Sequence, residues 1–200
     1  MSRSLLPGAG AVALALFSLG CSEAPIPTST MDAAVGPPDA PLHQTMGSAR
    51  QVLMLDACDP ESFNEAFGFE VCTPTSPRAG IHFDTFISLL EKHQKVDVWR
   101  FSPGEIRVPR QTTLHLPNKG GIPHSFTEVE EFGGGFVPLL NQLSGNLELA
   151  PECVHPENPQ APHPDVRLIA PGDYDEVTVT PGDGTKYMCC IHPWMRATVH

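Results

Sequence analysis

Tyr187-Met188-Cys189-Cys190-Ile191-His192-Pro193-Trp194-Met195 is the stretch on which the reading of the chain turns. A thiol, an imidazole and a thioether, those of Cys189, His192 and Met195, fall within seven positions. All three are soft or borderline metal ligands, and together they suit copper. A trigonal site needs one more imidazole, and His124, in Gly121-Ile122-Pro123-His124-Ser125-Phe126, can supply it from a distant strand. Cys and His at this spacing also occur in zinc sites, but zinc has no use for Met195 and takes more thiolates or imidazoles close by. A disulfide between neighbouring cysteines with a chance histidine is the remaining alternative.

The run Cys-x-x-His-Pro-x-Met resembles the ligand loop of small blue copper proteins, the cupredoxins, and is closest to the short-loop type of amicyanin and plastocyanin. The resemblance covers roughly Val98 to Val199 and is weaker from Cys58 to Val96. It implies an all-β fold, a Greek-key β-sandwich, here with a small helical N-terminal extension and a long inserted loop. It implies one type 1 copper ion with His124, Cys189 and His192 as equatorial ligands and Met195 as the weak axial one. The function it implies is one-electron carriage between exported redox partners rather than enzymatic turnover, with copper binding or delivery on the same fold as the alternative. A redox protein partner would dock near His192 and Trp194, because the loop histidine of this family is partly exposed within an apolar surface. By the same resemblance Asn118 supports the loops around the metal.

The 200 residues suit one domain with appendages. The formal charge is −11, and no basic tract is present to hold a phosphate backbone, so nucleic acid is not expected as a partner. A monomer is expected. With 22 Pro and 17 Gly, the composition favours turns and short strands over long helices. No Walker, Rossmann or His-Glu-x-x-His pattern appears. Arg3 and the apolar run Ala11–Phe17, ending in Gly20-Cys21, read as an export signal over residues 1–20, with Cys21 resembling a lipoprotein cleavage site. The expected location is the bacterial periplasm or cell surface, with membrane contact only through a lipid on Cys21. Residues 21–49, interrupted by Pro25, Pro27, Pro37, Pro38 and Pro41, read as a flexible tether, and 50–200 as the domain.

Export permits disulfides. Of six cysteines, Cys21 would carry lipid and Cys189 metal, which leaves four. Cys58 with Cys72 and Cys153 with Cys190 are the expected pairs. Side chains alternate along a strand, so Cys190 points away from Cys189 and is free to reach Cys153.

Along the domain, Gln51–Leu55 reads as a strand, residues from Asp59 or Pro60 to Phe67 as a short helix, and Phe83 to about His93 as an amphipathic helix with Asp84 near its cap. Strands are expected from Val96 to Phe101, over Ile106–Val108, Thr112–Pro117, Pro123–Val129, Val166–Ile169, Tyr174–Val179, Thr185–Met188 and Met195–Val199, roughly seven or eight in the sandwich. Residues 136–164 form a long connection that a Cys153 disulfide would pin. His82, His93, His115, His155 and His163 are read as packed or solvated histidines.

Overall fold

The computed structural model describes residues 50–73, 80–180, 182 and 184–200. The expected export signal, Cys21 and the tether lie outside the described residues. Among the described residues there are eleven short β segments and three α-helices. One sheet has the order β1 (Arg50–Gln51), β5 (Thr112–Pro117), β9 (Tyr174–Val179). The other has the order β4 (Glu105–Ile106), β11 (Arg196–Val199), β10 (Thr185–Met188), β6 (Thr127–Val129). A separate pair joins β2 (Leu53–Leu55) to β3 (Arg100–Ser102). Leu114, Leu116 and Val179 of the first sheet share one buried cluster with Ile106, Tyr187, Ala197 and Val199 of the second. The two sheets therefore form a sandwich with a common core.

Strand β10 explains the adjacent cysteines. Tyr187 and Cys189 belong to the main core, whereas Met188 and Cys190 belong to a second buried cluster with Val129, Cys153 and Val154. Period-two alternation continues two residues past the strand and sends the two sulfurs to opposite faces. Cys190 is bonded to Cys153, Cys58 is bonded to Cys72, and Cys189 is the free cysteine among the described residues.

The two helices before β3 form for local reasons. Helix α1 (Pro60–Phe67) starts at Asp59, whose carboxylate accepts from Ser62 N–H at 2.9 Å, has Pro60 in its first turn, and ends at Gly68 with φ 72°. Helix α2 (Phe83–His93) buries Phe86 and Leu90, four apart on one face, and ends with Gln94 in the left-handed region. Its N-cap is His82, without a side-chain cap bond, and Asp84 lies inside the first turn. Phe63, Phe86 and Trp99 pack ring against ring beneath both helices.

Several expected strands are shorter than their sequence patterns: Ile106–Val108 keeps only Ile106, at the end of β4, and Gln51–Leu55 is split at Val52 between β1 and β2. The run from Val96 to Phe101 is a strand only from Arg100, because a turn closed by Trp99 N–H to the Val96 carbonyl (2.9 Å) intervenes after α2. That turn buries both Val96 and Trp99, which alternation would have put on opposite faces. The run Pro123–Val129 keeps only β6; His124 makes a single bridge to Ile169, which is all that remains of the Val166–Ile169 strand. Pro123 has no N–H, and Ser125 directs its N–H to the Cys189 sulfur, so this backbone serves the site instead of a ladder. The 136–164 connection holds helix α3 (Pro138–Leu143), a 3-10 turn at Pro151–Cys153, and the hairpin β7 (Val154–His155) with β8 (Asn158–Pro162). No helix among the described residues is long and apolar enough to cross a membrane.

Candidate metal centre

Cys189 follows β10 directly, so the strand sets its position. The Cys189 sulfur lies 3.6 Å from His192 Nδ1 and 3.8 Å from His124 Nδ1. The three donor atoms lie within 4.8 Å of one another, and all three residues are buried. Metal arms of about 2.0–2.3 Å spread at about 120° subtend about 3.8 Å, so both sulfur-to-nitrogen distances match those around a single ion. The loop from Cys189 to Met195 is closed by Met195 N–H to the His192 carbonyl (2.9 Å) and Cys189 N–H to the Met195 carbonyl (3.0 Å). Met195 is 1% exposed and sits in the same core cluster as Cys189.

His124 is held from the other side by its two backbone bonds to Ile169 (3.1 and 2.7 Å). Asn118, fully buried, ties the turn beneath it: its amide donates to the Ile122 and Ile169 carbonyls and its oxygen accepts from Gly120 N–H. The support expected of Asn118 is thus directed at the His124 side of the site. Ser125 completes the frame, its N–H 3.5 Å from the Cys189 sulfur and its hydroxyl accepting from Cys190 N–H at 2.9 Å.

The residue that sequence reasoning missed is Asp56. Its carboxylate lies 2.8 Å from His124 Nε2 and is fully buried with it. It follows a three-residue strand and meets a histidine 68 positions away, so no local pattern announces it. The one sequence trace is Gly120, read as a turn residue, where a Cβ would collide with Asp56 Oδ2.

Charge is distributed unevenly among these groups. Burial alone pulls the His124 pKa down, but the bonds and charges of Asp56 and Cys189 outweigh it and push it up to about 9. Burial would raise the Asp56 carboxyl, yet His124 and the N–H groups of Gly121 and Ile122 hold it below the ordinary carboxylate value. Burial would also raise the Cys189 thiol, but the two imidazoles hold it well below its ordinary value, which favours the thiolate that a soft metal requires. His192 is lowered, first by its own burial and then by the charge of His124, opposed by Cys189.

His192 departs from the partly exposed position expected of it, being 3% exposed. It forms the floor of an apolar groove of about 240 Å³ whose walls include Phe63 of α1, Phe86 of α2, Leu140 of α3, Ile122 and Ile191. The N-terminal helices and the inserted helix together cover this end of the site. Trp194 is partly buried against that wall, edge-on to His192 (5.6 Å between ring centroids) and tilted on Phe86 (6.0 Å). The other candidate histidines among the described residues do not join the cluster. His115, for example, pairs with Glu176 at 3.7 Å and rests on Tyr174.

No protein-family model matches the chain, and no curated protein matches it. Among solved structures, a purple cupredoxin from Nitrosopumilus maritimus is similar at 15% identity and a TM-score of 0.38, over 75% of this chain and 96% of that one. A reduced Cu(I) amicyanin variant is similar at 18% identity and a TM-score of 0.31, over 50% of this chain and 71% of that one. A plastocyanin variant of fern is similar at 18% identity and a TM-score of 0.32, over 50% and 86%. The functional reading rests on the site itself.

Proposed function

We propose that the chain binds one type 1 copper ion through His124 Nδ1, Cys189 Sγ and His192 Nδ1, with Met195 as the axial thioether, and carries single electrons between exported redox proteins. The observation that carries this reading is the convergence of one buried thiolate and two buried imidazole nitrogens within 4.8 Å from two distant stretches of chain. Bound copper supplies a one-electron Cu(I)/Cu(II) couple. The protein supplies a ligand frame that holds still: two backbone bonds close the Cys189–Met195 loop, two pin His124 to Ile169, and the Cys153–Cys190 bond braces the residue next to the thiolate. A frame fixed on every side changes little between oxidation states, which lowers the barrier to electron exchange.

Burial favours carriage over delivery. Metal hand-off by ligand exchange needs a donor that an acceptor protein reaches, and His124, Cys189, His192 and Met195 are all 3% exposed or less. Electrons need no such access. The redox partner docks over the groove above His192, where Phe67 and Leu139 are about half exposed. Two disulfides suit an oxidising compartment, in keeping with export and a lipid on Cys21. Metal analysis with an optical spectrum of the copper-loaded protein tests the reading. One copper per chain and an intense visible thiolate-to-copper band are expected. A colourless protein that retains only Cu(I) would move the function to copper handling.

A further inference from the structure

Asp56 is surrounded by donors. Its Oδ1 accepts from Gly121 N–H at 2.8 Å and Cys58 N–H at 3.3 Å, and its Oδ2 from Ile122 N–H at 3.2 Å and His124 Nε2 at 2.8 Å. A metal on His124 Nδ1 requires the ring proton to sit on Nε2, which makes the fourth partner a donor as well. An acceptor-only group with four donors is an ionised carboxylate. An ionised carboxylate with no exposed side-chain surface carries a desolvation cost that a neutral acceptor would avoid. A backbone carbonyl would fix the same tautomer. What the carboxylate adds beyond orientation is a full negative charge, one imidazole away from the metal position, in a medium that screens it poorly.

We propose that Asp56 is a positioning residue of the copper centre that acts through His124 to favour Cu(II) over Cu(I) and so holds the reduction potential down. The inference rests on the copper site proposed above. It makes the segment from β2 to Cys72 part of the metal centre: Asp56 reaches the ligand, and the Cys58–Cys72 bond two residues on packs against Gly121, where a Cβ would meet both sulfurs. The effect is electrostatic, so it appears in the potential and leaves the thiolate-to-copper band in place.

The test compares the copper-loaded wild type with Asp56→Asn and Asp56→Glu by optical spectroscopy and redox titration. Asp56→Asn should keep the visible band and shift the ratio of Cu(II) to Cu(I) binding at least tenfold toward Cu(I), a rise of about 59 mV for one electron. Asp56→Glu, which keeps the charge, should fall nearer the wild type. An Asp56→Asn potential equal to that of a coloured wild type overturns this inference alone. A wild type without copper or colour overturns the site reading and this inference with it. Should Asp56→Asn not fold, NMR of the wild-type Cu(I) protein decides: a His124 Nε2 proton that exchanges slowly supports the bond to Asp56, and one that exchanges freely with water overturns it.

Discussion

Two additions flank the sandwich, each stapled by a disulfide, and they serve the metal site differently. The N-terminal addition, from β2 through α2, meets a ligand directly: Asp56 bonds His124, and Phe63 and Phe86 wall the groove over His192. The inserted addition, residues 136–164, lies mainly against the other face of the second sheet, where Cys153 and Val154 pack with Met188 and Cys190. It braces the ligand strand from behind and reaches the site side through Val137, Leu139 and Leu140, which line the groove over His192. The first addition therefore adjusts the electrostatics of the site, and the second its rigidity. Since β10 separates Cys189 from Cys190 by alternation, the two influences enter on opposite faces of one strand.

Breaking each staple should separate these roles. The Cys153–Cys190 bond spans 37 positions, and its removal by Cys153→Ala with Cys190→Ala should cost about 4 kcal/mol in chemical denaturation. The Cys58–Cys72 bond spans 14, and removing it by the matching double change should cost about 3 kcal/mol. The comparison predicts a crossover: the second variant, though less destabilised, should show the larger change in reduction potential. Equal potential changes in the two variants would break the distinction.

Proton release sharpens it further. In the metal-free protein the His124 pKa is pushed up to about 9, which keeps it protonated at neutral pH, while the imidazoles hold the Cys189 thiol well below its ordinary value and burial holds His192 below its own. Copper on His124 Nδ1 must displace that one proton. Copper binding in weak buffer near pH 7 should release about one proton per ion, and apparent affinity should rise about tenfold per pH unit, levelling off above about pH 9. Stability follows the same sign. A raised histidine pKa stabilises the metal-free fold below the ordinary histidine value, and the gain is lost as pH rises through about 9. Release of two protons or more would contradict this charge assignment. The smallest expected effect belongs to Met195, in the loop between the two influences: Met195→Leu should keep copper and colour and raise the potential modestly, because an axial thioether tunes the metal more than it holds it.

Much of this was legible in sequence, and the failures share a cause. Strands β5, β9 and β10 match their expected spans residue for residue, and β11 differs by one, because each is paired with a neighbour along its whole length. The Cys-x-x-His-Pro-x-Met run and the cysteine count pointed to the metal cluster and both disulfides, since ligand type and alternation are local properties. Asp56 was not legible, because a lone acidic residue after Leu53-Met54-Leu55 acquires its role only when Gly120 and Gly121 let the turn settle on it. The cover over His192 was not legible either. α1 and α2 each announce an apolar face, but α3 reads only as part of the long connection, and only the packed structure shows the three meeting above one ligand.

The central claim is that Cys189, His124 and His192 hold one copper ion, and the visible spectrum of copper-loaded wild type beside Cys189→Ser tests it most directly. Ser keeps the size of the residue and removes the thiolate, so the account predicts an intense band in the wild type and its loss in the variant. An identical visible spectrum in the two proteins would contradict the site.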